Sequence, residues 1–128
     1  MPSALAEMAD QRFVSLTTFR RSGAPVATPV WIARDGDALV VTTPVESGKV
    51  KRLRRDPRVE LRPCGRAGKV SDDAVPVTGA AEVVRPSKAA VAALRRKYGL
   101  EYRLVTAVER LFGRGRRERV ILRITEGG

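Results

Sequence analysis

Short runs rich in β-branched residues, separated by Gly, Asp and Pro, punctuate the first two thirds of the chain. This pattern predicts strands joined by tight turns. Residues 12–20, RFVSLTTFR, form the first, and the Arg21-Ser22-Gly23-Ala24 turn signal makes it one arm of a hairpin. The return strand is 25–34, PVATPVWIAR. Val26, Thr28, Val30 and Ile32 fall on one face, and Ala27, Pro29, Trp31 and Ala33 on the other. Pro29 lacks the N–H a ladder needs, so it marks an edge, a bulge or a place where a ligand meets the backbone. After the Asp35-Gly36-Asp37 turn come ALVVTT, then RVELRP at 58–63, with Val59 and Leu61 alternating against charges. A longer strand, AVPVTGAAEVV, covers 74–84, and its internal Gly79 predicts a bend or bulge. VILRIT is the last strand.

Helical periodicity marks four other segments. Residues 3–11 read as a short helix capped by Ser3, with Leu5 and Met8 on one side. Pro44 breaks the ALVVTT strand, Ser47-Gly48 opens a short helix with Val50 and Leu53 inward, and Asp56-Pro57 stops it. Ser87 caps a third helix, whose stripe of Ala90, Val91, Leu94 and Tyr98 runs up to a stop at Gly99. A fourth covers 100–112, where Leu104, Val105, Val108, Leu111 and Phe112 share a face before Gly113. Runs of strands joined by short turns and interrupted by few helices predict a mainly β protein, a β-barrel with packed helices. Alternating βα units are absent, which argues against a Rossmann sheet.

Composition narrows the chemistry. The 128 residues form one domain, 1–128, with a single core. No apolar run approaches the roughly 18 residues that span a bilayer. No secretory signal is visible, and the single Cys64 fits a reducing cytoplasm. The chain has no histidine, so a zinc site and His-based nucleophilic triads are excluded. An enzyme of this composition would borrow a cofactor for its chemistry.

The net charge is +11, and it is clustered. Residues 49–58 carry six basic and one acidic residue, and residues 110–119 five and one, so the two segments hold 9 of the 11 excess charges. Clustering predicts an anionic partner: a nucleotide-like cofactor, a nucleic acid or an acidic surface. Nucleic acid is disfavoured because no aromatics interleave with the basic runs.

The stretch TTPVESGKVKRLRRDPR is the focus. A helix start exposes free N–H groups and the positive end of the helix dipole. With the hydroxyls of Thr42, Thr43 and Ser47, the bare amide of Gly48, and the ammonium groups of Lys49 and Lys51, it forms a seat for a phosphate. Lys49 and Lys51 diverge by about 200° on an ideal helix, so one of them must address a second group unless the helix begins late. The plain alternative is a solvated basic helix. Trp31 is either core or a wall against a planar ring. The basic cluster from Arg110 to Arg119 is either a phosphate contact or a solvated loop.

At the level of motifs, the run PVW–strand–TTPVESGKVKRLRRDPRVEL resembles the pyridoxamine 5′-phosphate oxidase-like class of split-barrel flavin and deazaflavin oxidoreductases. The S-x-K-x-[KR] spacing followed by L-x-x-D-P-R-V falls on Ser47, Lys49, Lys51, Leu53, Asp56, Pro57, Arg58 and Val59. VTGAAEVV and KYGLEYRLVTAVERL extend the likeness, the latter toward enzymes dependent on coenzyme F420. The resemblance implies a six-stranded antiparallel split β-barrel, with a basic helix after the third strand and two helices before the last. It implies a homodimer with the cofactor at the subunit interface. It places Thr43, Ser47, Gly48, Lys49 and Lys51 on the phosphate and Pro29, Val30 and Trp31 along the ring. Oxidase relatives commonly have an arginine where this chain has Gly48, and a basic residue on the second strand. Those departures favour F420 over FMN, with Arg52, Arg54 or Arg55 meeting its acidic tail. The expected reaction is hydride transfer to a small conjugated acceptor, with Tyr98, Lys51 or solvent as the proton donor. An FMN enzyme is the first alternative, and a basic module for nucleic acid or an anionic surface the second.

Overall fold

The computed structural model describes residues 4–71, 74–111 and 119–126. Seven strands form one antiparallel sheet: β1 (Phe13–Phe19), β2 (Pro25–Val30), β3 (Ala33–Asp35), β4 (Ala38–Pro44), β5 (Arg58–Cys64), β6 (Val77–Val84) and β7 (Arg119–Thr125), in the order β2-β1-β5-β6-β7-β4-β3. Three helices accompany it: α1 (Ala4–Glu7), followed by a 3-10 turn at Met8–Asp10; α2 (Gly48–Arg55); and α3 (Lys88–Leu111).

The strand count exceeds the expected six because the predicted return strand 25–34 is two strands. Its first part pairs with β1 and its second with β4. Trp31 and Ile32 lie between them, so the two edge strands of the sheet are consecutive in the chain. The chain joins the two edges directly at this link, and no ladder among the described residues joins β2 to β3. Pro29 sits on edge strand β2 opposite Ser15, where a missing N–H interrupts no ladder.

Two apolar clusters follow from strand alternation. Val14, Leu16, Ile32, Leu39, Val41, Leu61, Leu122 and Ile124 fill the concave interior, together with Leu5 and Met8 and with Val50 and Leu53 of α2. Val40, Ala33 and Ile121, on the other face, are covered by Ala90, Leu94, Tyr98 and Tyr102 of α3. Covering both faces is why β4 reads as an unbroken apolar run.

Two expectations need correction, on the bulge at Gly79 and on the facing of Leu104. The β5–β6 register passes Gly79 opposite Val59 with no extra residue, so there is no bulge. The position is instead tight, since a Cβ there would lie 2.9 Å from the Thr125 carbonyl oxygen. The expected helix boundary at Gly99 is present: its non-helical angles (φ 52°, ψ −120°) divide Lys88–Leu111 into two helices. The break resets which side faces the sheet: Tyr102 is buried, while Leu104, expected inward, is 59% exposed. The side chains of Val105, Val108 and Leu111, the residue Phe112, and the basic cluster short of Arg119 lie outside the described residues, as does Ser3.

Candidate functional site

A groove of about 290 Å³ opens beside the link between β2 and β3. It is lined by Phe13, Pro29, Val30, Trp31, Thr42, Thr43, Pro44, Lys49, Arg66 and Arg119. One wall is apolar and aromatic, built by the starts and ends of β1 and β2. The opposite wall is basic and hydroxylic, built by the end of β4, the start of α2 and the first residue of β7.

The basic wall exists because of one strand pairing. Arg119 faces Pro44 and Ile121 faces Thr42 in the β4–β7 ladder. That register sets Arg119 Nε 3.0 Å from the Thr42 hydroxyl and beside Lys49. Ser47 is the residue before α2, but its side chain does not cap the helix. Its hydroxyl instead accepts a hydrogen bond from Thr43 Oγ1 at 3.1 Å. The first turn of α2 holds no acidic residue either. The positive end of the helix dipole is thus uncompensated where Lys49 and Arg119 converge.

Lys49 is half-buried, and it makes no hydrogen bond or ion pair among the described residues. Its ammonium is held below the ordinary lysine range, first by burial and then by the positive charges of Arg52 and Arg119. Arg52 folds back over the helix start, with its Nε 2.6 Å from the Thr18 hydroxyl. A Cβ on Gly48 would lie 2.8 Å from the Arg52 Nη1, so the glycine leaves room for that guanidinium. Burial, Arg20 and Arg55 lower Arg52's own proton affinity. Lys49, Arg52 and Arg119 thus gather positive charge at the start of α2, the kind of donor set an acidic group requires.

Across the groove, Trp31 stacks on Tyr98 with ring centroids 4.8 Å apart and planes 13° apart, and lies 6.2 Å from Tyr102. The indole is both core and groove wall. The Gly-rich loop after β5 is a small turn, closed by the Cys64–Val70 bridge and by Gly68 N–H to the Gly65 carbonyl at 2.9 Å. Gly68 (φ 88°) packs against the Pro29 ring, and the turn brings Arg66 to the groove mouth, 5.5 Å from the Phe13 ring centroid. Glu101 ties Arg66 at 3.3 Å and Arg12 at 2.9 Å.

Of the residues named from sequence, Pro29, Val30, Trp31, Thr42, Thr43 and Lys49 line this groove, and Ser47, Gly48 and Arg52 stand immediately behind it. Lys51 does not join them. It is exposed, as its angular offset from Lys49 predicts. Arg55 is drawn off to the Phe19 carbonyl at 2.8 Å. Arg54 lines a separate crevice between α2 and β6. Tyr98 is no proton donor for the groove, because its buried hydroxyl is taken by backbone groups of Arg12 and Ile32. Residue-by-residue reading missed Phe13, Pro44 and Arg66. It saw Arg119 only as one member of a basic run. Among the described residues no cluster of His, Cys, Asp and Glu could hold a metal ion.

The family model described as pyridoxamine 5′-phosphate oxidase matches residues 1–126. No curated protein matches the chain by sequence. Solved structures do. A conserved hypothetical protein from Mycobacterium tuberculosis is 27% identical, with a TM-score of 0.65, over 97% of this chain and 81% of that one. An F420 reductase is 20% identical, with a TM-score of 0.62, over 100% of this chain and 97% of that one. A heme storage protein from Vibrio cholerae is 14% identical, with a TM-score of 0.64, over 95% and 87%. At the two lower identities the likeness is one of fold.

Proposed function

The chain belongs to the pyridoxamine 5′-phosphate oxidase family, and from that premise we propose that it is an oxidoreductase that binds the deazaflavin coenzyme F420 in this groove, completed by a second copy of the chain as a split-barrel homodimer. The observation that carries the reading is Lys49, a half-buried ammonium with no anionic partner among the described residues, in a groove it shares with Trp31. A ligand that is flat at one end and acidic at the other satisfies both walls at once.

Bound there in its reduced form, the coenzyme would supply the hydride for a small conjugated acceptor and leave as the oxidised deazaflavin. The chain's own residues bind and orient it. Lys49 and Arg119 neutralise an acidic group, the first amides of α2 and the Ser47 hydroxyl, which accepts from Thr43, donate to it, and Phe13, Pro29, Val30 and Trp31 present a water-excluding face to the ring. With the Tyr98 hydroxyl taken by backbone groups and Lys49 assigned to the acidic group, solvent is the proton source in this reading.

F420 is favoured over FMN by two features. The resemblance to the oxidase branch would put an arginine at Gly48, and the space the glycine leaves is taken by Arg52. Lys49 and Arg119 in the groove, with Arg52 behind them, are the cations that would meet the acidic groups of the coenzyme's tail. A structure of the same fold is an F420 reductase, which agrees with this choice.

Titration followed by coenzyme fluorescence tests the reading, with a Kd on the order of 10 μM or tighter expected for F420. Tight FMN binding with no F420 binding would move the assignment to a flavin enzyme. Binding of neither, with salt-sensitive retention on DNA, would replace it with a nucleic-acid module.

A further inference from the structure

We propose that Lys97 and Tyr98, neither of which lines the groove, are positioning residues that fix the Trp31 wall against which the ring of a ligand lies. The inference rests on the coenzyme reading for its ligand and not for its geometry.

The link Trp31–Ile32 belongs to no strand. A link of this kind has backbone groups that no ladder satisfies, and its side chains take whatever orientation their neighbours impose. Here α3 imposes it. The Tyr98 hydroxyl accepts from the Ile32 amide at 2.9 Å and shares its proton between the carbonyls of Arg12 at 2.8 Å and Ile32 at 3.0 Å. Lys97 Nζ donates to the carbonyls of Ile32 at 2.6 Å, Ala9 at 2.7 Å and Gln11 at 2.5 Å. Both backbone groups of Ile32 are therefore held from one turn of α3. The Tyr98 ring then lies flat on the indole of the preceding residue.

The stoichiometry assigns Lys97 to this task alone. An ammonium has three N–H donors and no acceptor, and three carbonyls take all of them. Nothing remains for a ligand. Its stem borders a different cavity, about 650 Å³, between the N-terminal turn, β3 and α3. A lysine is suited to the site because three carbonyls from separate segments converge on a point, which a planar guanidinium matches less well.

Trp31 is the only tryptophan, so its fluorescence reports the wall directly. In Tyr98→Phe the ring stack is kept and the ties to Ile32 are lost; in Lys97→Met the stem is kept and the donors are lost. Both should raise acrylamide quenching of Trp31 about twofold to threefold and weaken F420 binding about tenfold, the scale of one or two lost buried hydrogen bonds. Binding of inorganic phosphate, measured by calorimetry, should stay within a factor of about two, since it needs only the Lys49 wall. Lys97→Arg should recover part of the quenching change.

If thermal stability falls while Trp31 quenching and F420 affinity stay as in the unaltered protein, the two residues are merely structural and the proposal is overturned. Parallel loss of phosphate and F420 binding would also overturn it, as general damage. If F420 fails to bind the unaltered protein yet quenching responds as expected, the positioning role stands and the coenzyme reading falls. Should Lys97→Met not fold, Tyr98→Phe carries the test.

Discussion

Lys49 is a cation placed among cations. Burial, Arg52 and Arg119 all favour its neutral form, so its charge is retained only against opposition. A bound acidic group reverses the balance by adding a counter-charge in a partly desolvated site. Replacing Lys49 with Gln should weaken anion binding about tenfold or more, the range of about 1.5–3 kcal/mol for a hydrogen bond to a charged group. Calorimetry with F420 checks this. Melting temperature should change little or rise, because a half-buried like-charge contact is removed. The same ammonium predicts that affinity falls as alkaline pH strips its proton, at a pH below that of an ordinary lysine. Lys97 gives a separate pH signature. Burial pushes it down to about 8, Asp10 raising it and Arg12 lowering it further; Glu7, Arg34 and Arg96 border the same cavity, and the Tyr98 ring lies 5.2 Å away. The unfolded chain keeps this proton up to about 10.5. From about 8 to 10.5 the unfolded state therefore binds more protons, and this residue's contribution to the unfolding free energy rises with pH across that window. Denaturation of the unaltered protein against Lys97→Met should show the difference growing in its favour between those limits and flat below them.

At the scale of elements, two glycines set limits that periodicity alone does not reveal. Gly99 has φ 52° and ψ −120°, a region L-residues rarely enter. Ala there should cost about 1–3 kcal/mol and should disturb Tyr98 and Tyr102 on either side of the break, seen as a shifted Trp31 emission. At Gly79 the obstacle is steric: a Cβ would meet the Thr125 carbonyl oxygen at 2.9 Å and Ile124 Cγ2 at 3.2 Å. Gly79→Ala should destabilise by about 1–3 kcal/mol through overpacking, measurable by urea denaturation, with little effect on ligand affinity. Most strands were legible because one face of each meets the core, and alternation encodes that locally. The division of 25–34 was not, because its alternation continues through Trp31 and only the change of partner, from β1 to β4, ends one strand and begins the next. The exposure of Leu104 was not legible either, because apolar spacing along 100–112 says nothing of how the non-helical angles of Gly99 aim the turn that follows.

On the scale of the whole molecule, the groove joins residues that sequence distance separates. Lys49 and the hydroxyls were legible because they fall within one short stretch with a recognisable spacing. Arg119 became specific only through the β4–β7 pairing, which brings it opposite Pro44, and Arg66 only through a turn that packs on Pro29. The assembled groove measures about 290 Å³, at the small end of the roughly 300–1,000 Å³ typical of ligand sites. It has two walls and an open side. A second copy of the chain is the proposed closure, and the charge of the chain sets the conditions under which it forms. Each protomer carries +11, so two copies repel, and the repulsion is strongest at low ionic strength where screening is weak. A multiply acidic ligand held near the interface removes part of that charge on binding. Association and ligand binding should therefore be coupled in the positive sense, and each should strengthen the other by the same factor. Sedimentation equilibrium at moderate salt is expected to show a mass approaching twice 14.0 kDa, and a lower mass at low salt that F420 or inorganic phosphate raises again. Lys49→Gln should dimerise more readily without ligand and respond less to it. A protein that stays monomeric at high concentration with ligand saturating would show that the groove is complete within one chain.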